Sequence, residues 1–152
     1  MTAGVLVVGY GNSLRSDDGL GWHLAGRLAE DPRLDGVTVL QRHELMPELA
    51  LDFSRVGLVV LVDASHAPAP GAFTVDRVEP ADGSGMTWSH HLSPSSLLAL
   101  AGELYGEKPE VVAVSVGVES FEVGDRLSPR VEAALPSVAD AIVGLIAEHG
   151  HA

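Results

Sequence analysis

Hydrophobic residues in this chain fall into two patterns that alternate along its length. Short, mainly apolar runs at residues 5–8, 37–40, 56–62 and 111–118 have the length of buried strands, and the first ends in a turn signal, Gly9-Tyr10-Gly11-Asn12. The run at 56–62 is the most apolar stretch and stops at Asp63, which marks a strand covered on both faces, as in a parallel sheet. Between these runs the spacing becomes helical. Leu20, Leu24 and Leu28, with Trp22 and Ala25, follow Ser16-Asp17-Asp18-Gly19, which reads as an acidic N-cap. Pro47 opens a short helix over 48–53, Ser93-Pro94 starts one that runs through 104, and Ser128-Pro129 starts a last one ending near 147. Pro136 lies inside that last helix and is expected to kink or divide it. Residues 72–78 alternate roughly and predict an edge or antiparallel strand.

Strands alternating with helices predict an α/β protein with a parallel or mixed sheet covered on both faces. The chain has 152 residues and no repeats, low-complexity stretches or linkers, so it is read as one domain over 1–152. A chain of this size buries roughly 68–70% of its unfolded surface and needs no covalent staple. It has no cysteine, which excludes disulfides, zinc–thiolate sites and a cysteine nucleophile. A formal net charge of −12, with the basic residues scattered, argues against nucleic acid as a partner. There is no basic segment at the start and no apolar run near 18 residues, so neither a secretory signal nor a membrane span is expected, and the chain is assigned to the cytoplasm.

In open α/β sheets ligands bind at the carboxyl ends of the strands, near a switch in strand order. That rule selects the loop carrying Asp17 and Asp18 after the first strand, Asp63 after the third, and Trp88-Ser89-His90-His91 before the helix at Ser93. Two carboxylates and an imidazole form an open site for a borderline divalent ion, with positions left for water or substrate. Asp17 is explained as well by capping a helix as by ligation, and Asp18 less well by capping. Asp63 is not, because a carboxylate after seven apolar residues is costly unless paired or ligated. Gly9-Tyr10-Gly11 lacks the third glycine of a dinucleotide fingerprint, since Leu14 stands there, and the glycines are read as permitting a tight turn and close backbone approach. No serine sits in a Gly-x-Ser-x-Gly elbow and there is no His-Glu-x-x-His, which disfavours a serine hydrolase and a resident-zinc protease.

The stretch from Gly9-Tyr10-Gly11-Asn12 through Asp17-Asp18-Gly19-Leu20-Gly21 closely resembles the N-terminal signature of the nickel–iron hydrogenase maturation endopeptidases. Leu61-Val62-Asp63-Ala64 with Pro70-Gly71, His90 with Leu92-Ser93-Pro94, and Val116-Gly117-Val118-Glu119-Ser120 with Leu127-Ser128-Pro129 are similar to that family's later blocks, in the same order and over nearly the whole chain. The resemblance implies a twisted five-stranded sheet sandwiched by helices. It further implies an endopeptidase that removes the C-terminal extension of a hydrogenase large-subunit precursor. Nickel would be carried by that substrate, and a surrogate divalent cation would be accepted by the free enzyme. By matching position, nickel contact falls on Asp18, Asp63 and His90, with His91 as competitor, and catalysis on Asp18 and Asp63. Gly9, Gly11, Asn12, Asp17 and His43 are assigned to the substrate-binding loops, and the protein is taken to work as a monomer. After the second strand, where many members carry Asp-Gly-Gly, this chain has Gln41-Arg42-His43-Glu44, which points to a divergent subfamily with its own substrate. Two rival readings accompany this one: another peptidase or amidohydrolase on the same scaffold, and a non-catalytic nickel or precursor chaperone.

Overall fold

A computed structural model describes residues 4–81, 92–106, 108–120 and 123–150. Among these residues five strands form one sheet: β1 (Val5–Tyr10), β2 (Thr38–Arg42), β3 (Leu58–Ser65), β4 (Phe73–Val78) and β5 (Glu110–Gly117), in the spatial order β2-β1-β3-β5-β4. β2, β1, β3 and β5 run parallel and β4 is an antiparallel edge. Among the described residues four α-helices cover it: α1 (Leu20–Ala29), α2 (Leu49–Ser54), α3 (Pro94–Tyr105) and α4 (Pro129–Gly150).

The period of two in the strands sorts their side chains between two cores. Val7 and Val60 with Val62 face α1 and α4 and pack against Leu20, Leu24, Leu28, Val138 and Ile142. Leu6, Val8, Val59 and Leu61 face the other way, onto Phe53 of α2 and Leu97 with Ala101 of α3. Each fully buried Val, Leu, Ile or Phe of this kind contributes about 1.5–3 kcal/mol relative to exposure. β3 is buried on both sides from Leu58 through Val62, as its continuous apolar run requires.

Three sequence readings need adjustment. Asp63 lies within β3 rather than just beyond it, because the ladder to β5 continues through Ser65 opposite Gly117. Residues 16–19 form a separate 3-10 turn, and α1 is capped by Gly19 with no side-chain hydrogen bond, so neither Asp17 nor Asp18 is its N-cap. Pro136 does not divide the last helix, which is continuous over 22 residues. Both the proline and Glu132, the residue whose carbonyl loses its amide partner, lie on the exposed side of the helix. Ser93 does cap α3, its Oγ accepting from Ser96 N at 3.1 Å, with Pro94 at the first position.

Candidate active site

The strand order reverses between β1 and β3: from β1 the chain goes out to β2 and then crosses back to β3 on the other side. A crevice forms at the carboxyl end of such a pair. Here it is a cavity of about 620 Å³ lined by Tyr10, Asn12, Arg15, Asp18, His43 and Asp63 among others. The apolar row Leu6, Val8 on β1 ends in Tyr10, and the row Val59, Leu61 on β3 ends in Asp63. Alternation puts both polar residues on the face toward α2 and α3, where the Tyr10 hydroxyl donates to Asp63 Oδ2 at 3.2 Å. The Ala64 amide donates to Asp63 Oδ1 at 2.7 Å. Burial pushes Asp63 up to about 6, against the two hydrogen bonds that lower it and with the nearby negative charge of Asp18, which adds to the rise. Burial, then the charge and hydrogen bond of Asp63, raise the Tyr10 phenol well above its ordinary value.

Asp18 reaches the same cavity from the 3-10 turn at Ser16–Gly19. Asn12 starts this loop with an Asx turn, its Oδ1 accepting from Leu14 N at 2.9 Å, and its own amide donates to Asp18 Oδ2 at 3.1 Å. Two glycines make room. Gly11 has φ +149°, and a Cβ there would collide with the Asp18 carbonyl; a Cβ on Gly21 would lie under 3.0 Å from backbone oxygens of Tyr10 and Val62. The start of α1 is thereby seated directly on the ends of β1 and β3, which brings Asp18 beside Asp63. His43 enters from the end of β2, its ring packed against Trp22 at a tilt of 42° with centroids 4.5 Å apart.

Asp17, next to Asp18, goes the opposite way. It is fully buried and outside the cavity lining. Its carboxylate accepts Ser128 N at 2.6 Å, Ser128 Oγ at 2.7 Å, and the amides of Glu119 and Ser120 at 2.9 Å each. Burial alone would raise its pKa, but the bonds from Ser128, Glu119 and Ser120 outweigh it and hold the group below the ordinary carboxylate value. Asp17 therefore leaves the set of substrate-contacting residues: its oxygens are occupied by the connection between β5 and α4. Gly9 leaves it too, since its Cα faces Gly21 and Ala25 of α1. Gly11, Asn12 and His43 line the cavity.

The structure thus brings together Asp18 and Asp63. His90 and His91 lie outside the described residues. Among the described residues no three His, Asp or Glu side chains stand close enough to hold a metal ion. Sequence reasoning passed over Tyr10, Arg15 and Glu44, all of which line the cavity. The signal for Tyr10 was its parity with Leu6 and Val8; Arg15 and Glu44 gave none beyond lying near strand ends. No described helix is long and apolar enough to cross a membrane.

No protein-family profile and no curated protein matches this chain by sequence. Solved structures do. The hydrogenase maturating endopeptidase HybD from E. coli superposes with a TM-score of 0.76 at 26% identity, covering 97% of this chain and 94% of that one. A hydrogenase 2 maturation peptidase from a Thaumarchaeota archaeon gives 0.72 at 25% identity, covering 95% and 98%. The NiFe hydrogenase maturation protease HycI from Thermococcus kodakarensis gives 0.76 at 22% identity, covering 95% and 92%, a likeness of fold. The resemblance read from the sequence motifs and the resemblance of the folds point to the same family.

Proposed function

We propose that this chain, which shares its fold with hydrogenase maturation proteases, is itself a peptide-bond hydrolase that removes the C-terminal extension of a nickel-loaded hydrogenase large-subunit precursor. The observation that carries the proposal is the meeting of Asp18 and Asp63 in one cavity at the β1/β3 switch point, in a fold whose relatives are named for this activity. Two carboxylates offer hard oxygen donors to an ion that arrives on the substrate, and His90 would supply a nitrogen. With no thiolate and few ligands, such a set holds a late transition metal weakly by itself and is suited to completing the coordination of an ion carried by a partner. Docking through the ion would fix the scissile peptide beside the cavity, and positioning of that kind is where much of the rate gain arises. We further propose that the protein works as a monomer in the cytoplasm, with Gly11, Asn12 and His43 as walls of the peptide site.

The test uses chelator-treated enzyme, freed of chelator, with nickel-loaded and nickel-free precursor offered separately and the products weighed by mass spectrometry. The loaded precursor should lose its tail and the nickel-free one should not. Equal cleavage of both would remove the nickel requirement, and binding without any shortened product would favour the chaperone reading.

A further inference from the structure

The residue beside Asp18 is fully buried and accepts four hydrogen bonds through its carboxylate, yet it is not part of the cavity lining. Its partners all belong to the connection between β5 and α4, about a hundred residues away in sequence. The same connection is zipped to the Asp18 loop along its backbone. Ser16 N donates to Gly124 O at 2.8 Å, Gly124 N to Leu14 O at 2.9 Å, and Asp17 N to Ser120 O at 3.0 Å. The Ser16 hydroxyl donates to Arg126 O at 2.9 Å. Ser16 itself has φ +49°, a left-handed conformation unfavourable for a residue with a side chain, and it persists only where surrounding contacts over-determine it. This strained residue opens the turn that carries Asp18. On its own strand side the loop is held by Arg15 N donating to Asn12 O and by Asn12 N donating to Asp18 Oδ2, at 3.1 Å each.

We propose that Asp17 is a positioning residue for the active site: its buried carboxylate locks the β5–α4 connection onto the Asp18 loop and so sets where the Asp18 carboxylate stands in the cavity. The proposal rests on the reading of Asp18 as a substrate-facing group. Physically, an ionised carboxylate surrounded by three amides and a hydroxyl is the one feature of this contact that cannot be exchanged for water without cost, because each donor it satisfies would otherwise be left buried or would have to turn outward. Asparagine at position 17 keeps the volume but replaces one acceptor oxygen with an amide group that donates, against donors that need an acceptor. The clamp then opens, Ser16 relaxes, and Asp18 moves.

The experiment compares wild type with Asp17→Asn, at a temperature well below the melting point of each. Two readouts are taken. One is the Asn12 backbone amide, whose proton shift and exchange protection report its bond to Asp18. The other is kcat/KM for nickel-loaded precursor. In folded Asp17→Asn the Asn12 amide should lose its protection and move toward its position in Asp18→Ala, and kcat/KM should fall by about 100-fold, the loss typical of a misplacement near 1 Å. A merely structural role is separated by adding Gly144→Ala, at an exposed site in α4 where a Cβ meets nothing within 4 Å and helix propensity improves. That change should raise the melting temperature of Asp17→Asn without restoring activity. Recovery of activity with stability, or a wild-type Asn12 amide in folded Asp17→Asn, would overturn the proposal. If Asp17→Asn does not fold, Ser128→Ala takes its place: it removes one donor and leaves three amides, and a several-fold loss of kcat/KM with a displaced Asn12 amide is expected, while wild-type values for both would overturn it. Should wild type itself fail to cleave precursor, the proposed function falls, and the Asn12 amide still decides the positioning role.

Discussion

Asp63 is a carboxylate that the fold holds at a loss, and the size of that loss is measurable. An ordinary aspartate titrates at 3.8; Asp63, buried at the end of an apolar strand and facing Asp18, titrates at about 6. Below pH 3.8 the group is protonated in both folded and unfolded chains and adds nothing to the balance. Between 3.8 and about 6 it is ionised in the unfolded chain but protonated in the folded one, so this group's contribution lowers stability as pH rises. Above 6 the penalty is complete, and at about 1.4 kcal/mol per pH unit it amounts to about 3 kcal/mol. Asp63→Asn removes the titration while keeping an oxygen that can accept from Tyr10 or Ala64. Whatever the lost contacts cost, they cost it at every pH, so the informative quantity is the change in the variant's stability relative to wild type. Urea unfolding in the presence of chelator should show that relative stability improving by about 2 kcal/mol between pH 4 and pH 8, since part of the penalty is already present at pH 4. The same substitution should abolish precursor processing. A relative stability that is flat across that range, or that declines toward pH 8, would refute the reasoning that Asp63 is retained for function against the interest of the fold.

Two further expectations follow from the same geometry. Tyr10→Phe deletes a hydrogen bond that lowers Asp63, so the Asp63 carboxyl, followed by carbon-13 NMR in metal-free protein, should titrate above its wild-type value; an unchanged or lower value would show that the 3.2 Å contact carries no weight. Gly21→Ala gains helix propensity but drives a methyl into the carbonyls of Tyr10 and Val62, and the collision should win, costing about 1–3 kcal/mol or more in a urea melt; a stabilised variant would mean that α1 is not seated on the strand ends as described.

The layers of the fold were legible because they rest on local chemistry. Continuous apolarity over 56–62 reports burial on both faces, and β3 is buried on both faces; rough alternation over 72–78 reports an edge, and β4 is the antiparallel edge. Ser-Pro marks a helix start because serine accepts an amide and proline has none to leave unpaired, and α3 begins that way. Pro136 misled for an instructive reason. The penalty for proline inside a helix is largest where the orphaned carbonyl is buried, and the proline alone does not report that it and Glu132 fall on the exposed side of the helix.

The site was legible only as far as topology reaches. A rule about strand ends selects Asp18 and Asp63 without any contact being known, and both line one cavity. What the rule lacks is the direction in which adjacent side chains leave a turn. Asp17 and Asp18 are chemically identical and consecutive, and both read as helix caps or as ligands. Yet one is sealed against Ser128 and the other opens to the cavity. The difference lies in Ser16, whose positive φ rotates the turn, and in partners at 119, 120 and 128 that no local window contains. A doublet of acids at this place is therefore a division of labour rather than a doubled ligand. One carboxylate is committed to long-range order and held below its ordinary pKa, while its neighbour is half-buried, accepts a bond from the Asn12 amide and lines the cavity. Any sequence-based assignment that treats the two as interchangeable will place half of the site on the wrong side of the loop.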